Sequence, residues 1–319
     1  MPLWLSEADV RASLTMPAVM GAMEAALAAF STGRVVQPVR TAFELRERTF
    51  FGVMPAFLGE QAILGAKLVS VIPENAGRAL PTHQASISLF DPDTGALIAV
   101  MDGRLITEMR TAAASALSVK YLARQSSSVL AILGSGVQAR SHVEALALVI
   151  PFEDMRAWSP HAEHLEAFAE ETGVRAAVSA EEAVRDADVV VVATSSVTPA
   201  ITDAWVKWGA HVIAIGACRP SQREIDPGLV ARARLVVDSR DAALQESGDI
   251  VQTIREGRMT VAHVQLELGE VIAGTKAGRQ SEDGVTLFKS LGLAVEDLAT
   301  AALAYRAASA AGRGVRVEL

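Results

Sequence analysis

Three cations and one glycine-rich turn carry most of the chemistry open to this sequence. Lys67 lies in Leu64-Gly-Ala-Lys-Leu-Val-Ser-Val71, a run that otherwise reads as a buried strand. Lysine is seldom fully buried unless paired, so either Lys67 serves a site or the strand is an edge from which its ammonium snorkels. Arg40 follows Gln37-Pro-Val, and Arg110 precedes Thr-Ala-Ala-Ala-Ser-Ala, read as the opening of a helix. A cation there opposes the helix macrodipole and needs another reason to be present. Converging on one cleft, the three would anchor a small carboxylate. The second feature is Val129-Leu-Ala-Ile-Leu-Gly-Ser-Gly-Val-Gln-Ala139, an apolar strand that turns into a helical pattern (Val137, Ala139, Val143, Leu146, Ala147, Ile150). Gly134 allows a sharp turn, Gly136 leaves no Cβ in the way of a pyrophosphate, and Ala139 lets helix and strand pack closely. Taken alone, such a motif is as compatible with a bare tight turn.

The elements around these residues choose between the readings. Residues 6–32 read as one helix with Ser6 as N-cap and Gly33 past its end. Short apolar runs at Phe50–Met54, Ala66–Ile72, Ala85–Phe90 and Leu97–Met101 read as a mixed or antiparallel sheet, with Asp91–Gly95 as a hairpin turn. Thr111–Leu122 is alanine-rich and helical. From Ser128 the texture alternates. Strands are expected at Val129–Leu133, Arg156–Trp158, Ala176–Val178, Asp188–Ala193, His211–Ile215 and Leu235–Asp238, with helices such as Ala162–Thr172 and Ala180–Arg185 between them. That alternation is the mark of a doubly wound parallel sheet, and within it the glycine turn becomes a dinucleotide fingerprint on the first strand. Leu287–Ser309 reads as helix and would return to the N-terminal sheet. The expected fold is therefore α/β: a Rossmann domain at 119–294, and a discontinuous α+β domain at 1–118 and 295–319, to which the family resemblance set out below assigns substrate binding and dimerisation.

Composition narrows the function. The chain has 319 residues, half of them apolar, and a net charge of −8. Without a basic cluster, non-specific nucleic-acid binding lacks its electrostatic basis. The single cysteine, Cys218, permits no intrachain disulfide, and the N-terminal residues carry acids where a signal peptide carries bases. No apolar run is long enough to span a bilayer. A cytosolic protein is the expectation. Of the six histidines only His161 and His164 are closely spaced, so no metal site is expected. The second expected strand ends Arg156-Ala-Trp-Ser159-Pro160-His161, with no carboxylate at its tip to bind an adenosine ribose 2′-OH. Ser159, His161 and Arg140 can donate to a 2′-phosphate there, which favours NADPH while leaving NADH possible; otherwise Ser159-Pro160 is simply a turn.

Many short motifs in this order resemble the ornithine cyclodeaminase/mu-crystallin family. They are Gln37-Pro-Val-Arg-Thr41, Gly52-Val-Met-Pro-Ala56, Ala66-Lys-Leu-Val69, Leu80-Pro-Thr-His-Gln-Ala85, Ala99-Val-Met-Asp-Gly103 and Ile106-Thr with Arg110-Thr-Ala-Ala113. The fingerprint follows, then Val237-Asp-Ser239, Ala243-Leu with Glu246-Ser-Gly-Asp249, Phe288-Lys-Ser-Leu-Gly292 and Val295-Glu-Asp297. The resemblance implies a homodimer in which Arg40, Lys67 and Arg110 hold a substrate carboxylate, with Lys67 near the reacting nitrogen and Glu246 on the substrate side. It implies that Thr82 and His83 line the cofactor cleft, and that Ser135, Val137 and Gln138 contact the phosphates. Ser159 to His161 would meet the adenosine end, Thr194, Ser195 and Ile215 would border the dinucleotide, and Ser290 would lie near the nicotinamide.

The resemblance also separates two reactions. Cyclodeaminases have Gly-x-Asp where this chain has Gly216-Ala-Cys218, and a thiol is a poor substitute for a carboxylate acid/base. The mu-crystallin-like branch lacks that aspartate and continues Arg-Pro, as in Arg219-Pro220 here. The resemblance thus implies reduction of cyclic ketimine carboxylates, with Cys218 filling space. The alternatives are a cyclodeaminase lyase, a reductive aminase or alanine-type dehydrogenase, and a non-enzymatic binder of a small ligand.

Overall fold

The computed structural model describes residues 1–78 and 80–318. It divides into two compact units: the chain up to Arg110 together with the segment from Leu293 on, and the contiguous stretch Thr111–Gly292. The sequence reading set these boundaries after residues 118 and 294.

The first unit is built on an eight-stranded sheet. Its elements are β1 (Leu3–Leu5), α1 (Glu7–Arg11), α2 (Met16–Ser31), β2 (Val35–Val36), β3 (Thr41–Arg46), β4 (Thr49–Leu58), β5 (Ile63–Val71), β6 (His83–Phe90) and β7 (Leu97–Asp102). The C-terminal helix Ala294–Ala310 and strand Val315–Arg316 complete it. Strands β4 to β7 form an antiparallel meander, and β1 adds to β7 in parallel. The Asp91–Gly95 turn joins β6 to β7, with Asp91 and Ala96 hydrogen-bonded across it and Gly95 at φ +72°. The single helix expected over 6–32 is two. Thr15 is extended and Pro17 sits in the first turn of α2; a proline supplies no N–H and biases the residue before it away from helix. The C-terminal helix lies over β4, β5 and β6 and against α2, which encloses the face carrying Lys67, Ile87 and Leu89.

Helix α3 (Arg104–Leu122) runs through the division after Arg110. The Asp102 carboxylate accepts from the N–H groups of Arg104 and Leu105 at 3.0 and 3.3 Å, starting the helix well before Thr111. Arg110 is therefore a mid-helix residue, and the expected opposition to a helix N-terminus does not arise.

The second unit is a doubly wound, wholly parallel sheet. Its strands are β8 (Val129–Leu133), β9 (Asp154–Trp158), β10 (Arg175–Ala176), β11 (Val189–Val192), β12 (His211–Ala214), β13 (Arg234–Val237), β14 (Leu266–Glu267) and β15 (Thr286–Lys289), ordered β10-β9-β8-β11-β12-β15-β13-β14. Among its helices are α4 (Val137–Ala147), α5 (Ala162–Thr172), α6 (Ala180–Val184), α7 (Pro227–Arg232), α8 (Arg240–Glu246), α9 (Gly248–Arg255) and α10 (Leu268–Ile272). Strand β15 corrects the helix expected over Leu287–Ser309: Thr286–Lys289 is fully buried between β12 and β13, and helix begins only at Ala294. The strand expected at Ala176–Val178 is shorter, beginning one residue earlier and ending at Ala176. All four valines of β11 are buried, each contributing roughly 1.5–3 kcal/mol of transfer free energy.

His142 pins the helix that carries the fingerprint. It is fully buried, its Nδ1 lies 2.7 Å from the Gln138 carbonyl, and its Nε2 lies 2.8 Å from Ser115 Oγ. Burial pushes its pKa from 6.5 to about 4. The unfolded chain thus takes up this proton before the folded protein does, and stability falls as pH drops through that interval. Between pH 7 and pH 5 the loss is about 2 kcal/mol. Denaturant titrations of wild type and His142→Gln at both pH values check this: the variant's pH dependence is expected to be shallower by that amount.

Candidate active site

In the first unit the structure brings Lys67, Arg110, Arg40 and His83 into one electrostatic neighbourhood. Lys67 is on an inner strand, flanked by β4 and β6, and is 2% exposed, so the snorkelling edge-strand alternative does not hold. Its Nζ lies 2.6 Å from Asp297 Oδ2 and 3.5 Å from the Thr107 hydroxyl. Arg110 donates from Nε to Asp297 Oδ1 at 3.0 Å and from Nη1 to Glu296 Oε2 at 2.7 Å. Both acids are fully buried in the first turn of the C-terminal helix, where the macrodipole also favours negative charge. Gln37 Oε1 accepts from the Val295 N–H of the same turn at 2.8 Å.

Burial lowers the Lys67 pKa, and the positive charges of Arg110 and Arg40 act with it; Asp297 opposes them, and the balance falls at about 8. His83, at the start of β6, is driven down to about 4 by burial and by the charges of Lys67 and Arg110. Near neutral pH the histidine is thus an uncharged hydrogen-bonding group, while the lysine can gain and lose a proton. Thr82 beside it is exposed.

In the second unit the expected cofactor residues follow the carboxyl ends of parallel strands. Gly134 to Gln138 follow β8, Ser159 to His161 follow β9, Thr194 and Ser195 follow β11, Ile215 follows β12 and Ser290 follows β15. That edge of a doubly wound sheet is where nucleotides bind. The fingerprint fits a pyrophosphate. Gly134 has φ +124°, and a Cβ there would come within 2.5 Å of the Ala193 carbonyl oxygen, so the turn itself demands glycine. A Cβ on Gly136 would meet nothing within 4 Å, so the protein leaves open the space that an anion would enter. Gly136 also caps α4 without a side chain to satisfy the first N–H groups of that helix.

Elsewhere the expectations need adjustment. Arg140, offered as a phosphate donor, is paired with Glu171 at 2.6 Å and donates to the Ser135 carbonyl at 2.7 Å. Ser159 is buried and His161 exposed beside His164. Ser290 is buried and donates to Asp238 at 3.1 Å. Asp238 also accepts from the Leu291 and Gly292 N–H groups and so holds the whole turn. Glu246 is the last residue of α8 in the second unit, whereas Arg40, Lys67 and Arg110 belong to the first. Cys218 is half-buried, with Sγ 3.3 Å from the Ile215 carbonyl oxygen.

Two groups of buried charged residues escaped the sequence reading. Glu296 and Asp297 were visible only as part of a motif, though adjacent acids in an alanine-rich helix are as out of place as Lys67 in its strand. Buried Lys289, Glu224 and Asp249 form a second charged cluster: Lys289 Nζ is 3.3 Å from Glu224 Oε1 and 3.1 Å from Asp249 Oδ2. Burial works against the Lys289 charge, but the two carboxylates outweigh it and raise its pKa.

Comparison with known proteins places these features in context. A model of the ornithine cyclodeaminase/mu-crystallin family matches residues 2–312. Ketimine reductase mu-crystallin of Rattus norvegicus is 44% identical over 311 residues, which is 95% of this chain and 96% of the rat protein. The structure of Thermococcus litoralis Δ1-pyrroline-2-carboxylate reductase with NADH and L-proline matches at TM-score 0.95 and 38% identity, over 99% of this chain and 100% of that one. An archaeal alanine dehydrogenase dimer with bound NAD matches at TM-score 0.94 and 35% identity, over 99% of this chain and 99% of that one. The chain belongs to the ornithine cyclodeaminase/mu-crystallin family.

Proposed function

We propose that this protein is an NADPH-dependent reductase of cyclic ketimine carboxylates, such as Δ1-pyrroline-2-carboxylate and Δ1-piperideine-2-carboxylate, yielding L-proline and L-pipecolate. It is an NAD(P)H-dependent oxidoreductase acting on C=N bonds. The observation that carries the reading is Lys67: buried, with a pKa of about 8, beside two arginines and a histidine that is uncharged near neutral pH and so has no acidic proton to give. When bound, the dinucleotide supplies a hydride for the imine carbon. Arg40 and Arg110 hold the substrate carboxylate, and Lys67 gives its proton to the ring nitrogen, directly or through one water. Asp297 keeps that ammonium protonated against the cost of its burial. No nucleophile is needed, and none is asked of Cys218.

Several features support the finer parts of this reading. The tip of β9 carries Ser159, with no carboxylate to repel a 2′-phosphate. A second copy of the chain is assigned to the outer strand β3, exposed throughout, where Phe43 and Leu45 are 51% and 53% accessible. The charge and cysteine content suit a cytosolic enzyme, and among the described residues no helix is long and apolar enough to cross a membrane. Similarity to an alanine dehydrogenase favours a second reading, reductive amination of an open-chain 2-oxo acid, which passes through the same kind of imine.

Oxidation of NADPH and NADH should be followed with the two cyclic imines, with pyruvate plus methylamine, and with ornithine as control. The cyclic imines are expected to give the highest kcat/KM, with a lower Michaelis constant for NADPH than for NADH. A strong NADH preference overturns the cofactor assignment, and ammonia release from ornithine without net dinucleotide turnover overturns the reaction. Cys218→Ser is expected to keep its reductase activity within about threefold, because serine also fills the space; a folded but inactive variant contradicts that role.

Lys67→Ala is expected to lower kcat by about 10²-fold or more while dinucleotide affinity stays within about twofold. As the proton donor, Lys67 must be charged, so kcat/KM is expected to fall as pH rises through about 8. Asp297→Asn removes the attraction that holds the proton on, so this alkaline limb moves to lower pH. A limb that stays in place shows that the proton comes from elsewhere.

A further inference from the structure

We propose that Glu224 is the positioning residue that fixes the nicotinamide side of the dinucleotide crevice. The inference rests on the reading of the second unit as the dinucleotide site. Glu224 is fully buried, and its carboxylate joins the carboxyl ends of three neighbouring strands. Oε2 accepts from the Thr194 N–H at 3.2 Å and from the Thr194 hydroxyl at 3.1 Å, just past β11. Oε1 accepts from the Gly216 and Ala217 N–H groups at 2.7 and 3.0 Å, just past β12, and from Lys289 at the end of β15 at 3.3 Å.

The ladder between β11 and β12 ends with the Ile215 N–H bonded to the Val192 carbonyl at 3.1 Å. Beyond that point the chains leave the sheet, and the carboxylate bridges the gap between them. The gap is tight: a Cβ on Gly216 would lie 1.8 Å from the Thr194 carbonyl oxygen and 2.5 Å from Glu224 Oε2. Glu224 is itself clamped, since Asp249 Oδ1 accepts from the N–H groups of Glu224 and Ile225 at 2.8 and 2.9 Å. A buried charge is a costly way to join three loops if joining them is all that is required, because apolar packing of the same volume does as well or better. What the carboxylate adds is direction, with five donors aimed at fixed points.

The sheet order says which half of the ligand benefits. Pyrophosphate sits at the start of α4 after β8, and the adenosine ribose lies toward β9. Strands β11, β12 and β15 lie on the opposite side of β8 from β9, so the loops that Glu224 ties together serve the nicotinamide half. In Glu224→Gln one carboxylate oxygen becomes an amide nitrogen, which faces N–H donors on either side and cannot satisfy both loops.

Titration calorimetry of wild type and Glu224→Gln with NADPH and NADH, and with adenosine 2′,5′-bisphosphate and ADP as half-ligands, tests the assignment. Dinucleotide binding is expected to weaken about tenfold or more, and half-ligand binding to change less than about twofold. Equal weakening of both classes marks a merely structural residue and overturns the proposal, as does unchanged dinucleotide affinity. If the variant does not fold, Asp249→Asn decides, with the same split expected at smaller amplitude and the same outcomes overturning it. Wild-type protein that binds no dinucleotide removes the underlying reading instead, which the variant data alone cannot do.

Discussion

The first unit depends on the neutralisation of buried charge at Lys67 and Arg110. Either cation placed alone in that interior would cost several kcal/mol, and either acid alone would do the same. Together they are tolerable, because Asp297 accepts from both cations and Glu296 takes a further Arg110 donor. Three elements distant in sequence, β5, α3 and the C-terminal helix, are thus held in one register by a handful of ion pairs. The helix contributes more than side chains. Its first turn presents the positive end of its dipole to both carboxylates, and the charges of Arg110 and Lys67 hold the Asp297 carboxyl below its usual range, so that it in turn favours the neighbouring ammonium. The proton on Lys67 is therefore a property of the fold rather than of the lysine.

The second unit applies the same economy at the edge of its sheet. Strands β8 and β11 are apolar along their length, and a buried cluster of charge gathers at or just past the carboxyl ends of the sheet, where Lys289 meets Glu224 and Asp249 and where Asp238 gathers the 290–292 turn. Buried polar groups there are satisfied by backbone N–H groups that the ladder no longer uses. The loops that would face a nucleotide are in this way held by side chains beneath them, leaving their outer surface available for ligand.

Much of this could be read from the sequence, and the failures have physical causes. Strands β8, β11 and β12 and helix α5 were legible because valine-rich runs and a helical apolar stripe make local signals strong. The fingerprint was legible because glycine at 134 is demanded by the turn itself. Strand β15 was not, since Thr286–Lys289 is short, ends in a lysine and runs close to a long alanine-rich helix. The true start of α3 was misplaced although Asp102 spelled it: an aspartate two residues before the first helical residue is a cap, and it was passed over. The partners of Lys67 were beyond reach of local reasoning. Nothing near residue 67 indicates that an acid 230 positions later will neutralise it.

That separation bears on how the protein is made. The second unit is one uninterrupted stretch and can fold as it leaves the ribosome, but the first cannot close until the C-terminal helix exists. Asp297 follows Lys67 by 297 − 67 = 230 residues. At about 5–20 residues per second the lysine waits roughly 10–50 s for its counter-ion. During that interval β5 carries an ammonium on the face meant for the core, while its neighbouring strands are already available for pairing. The nascent sheet thus stays open on the face that carries Lys67, and the carboxylates that neutralise its charge are also the last pieces needed to shut it.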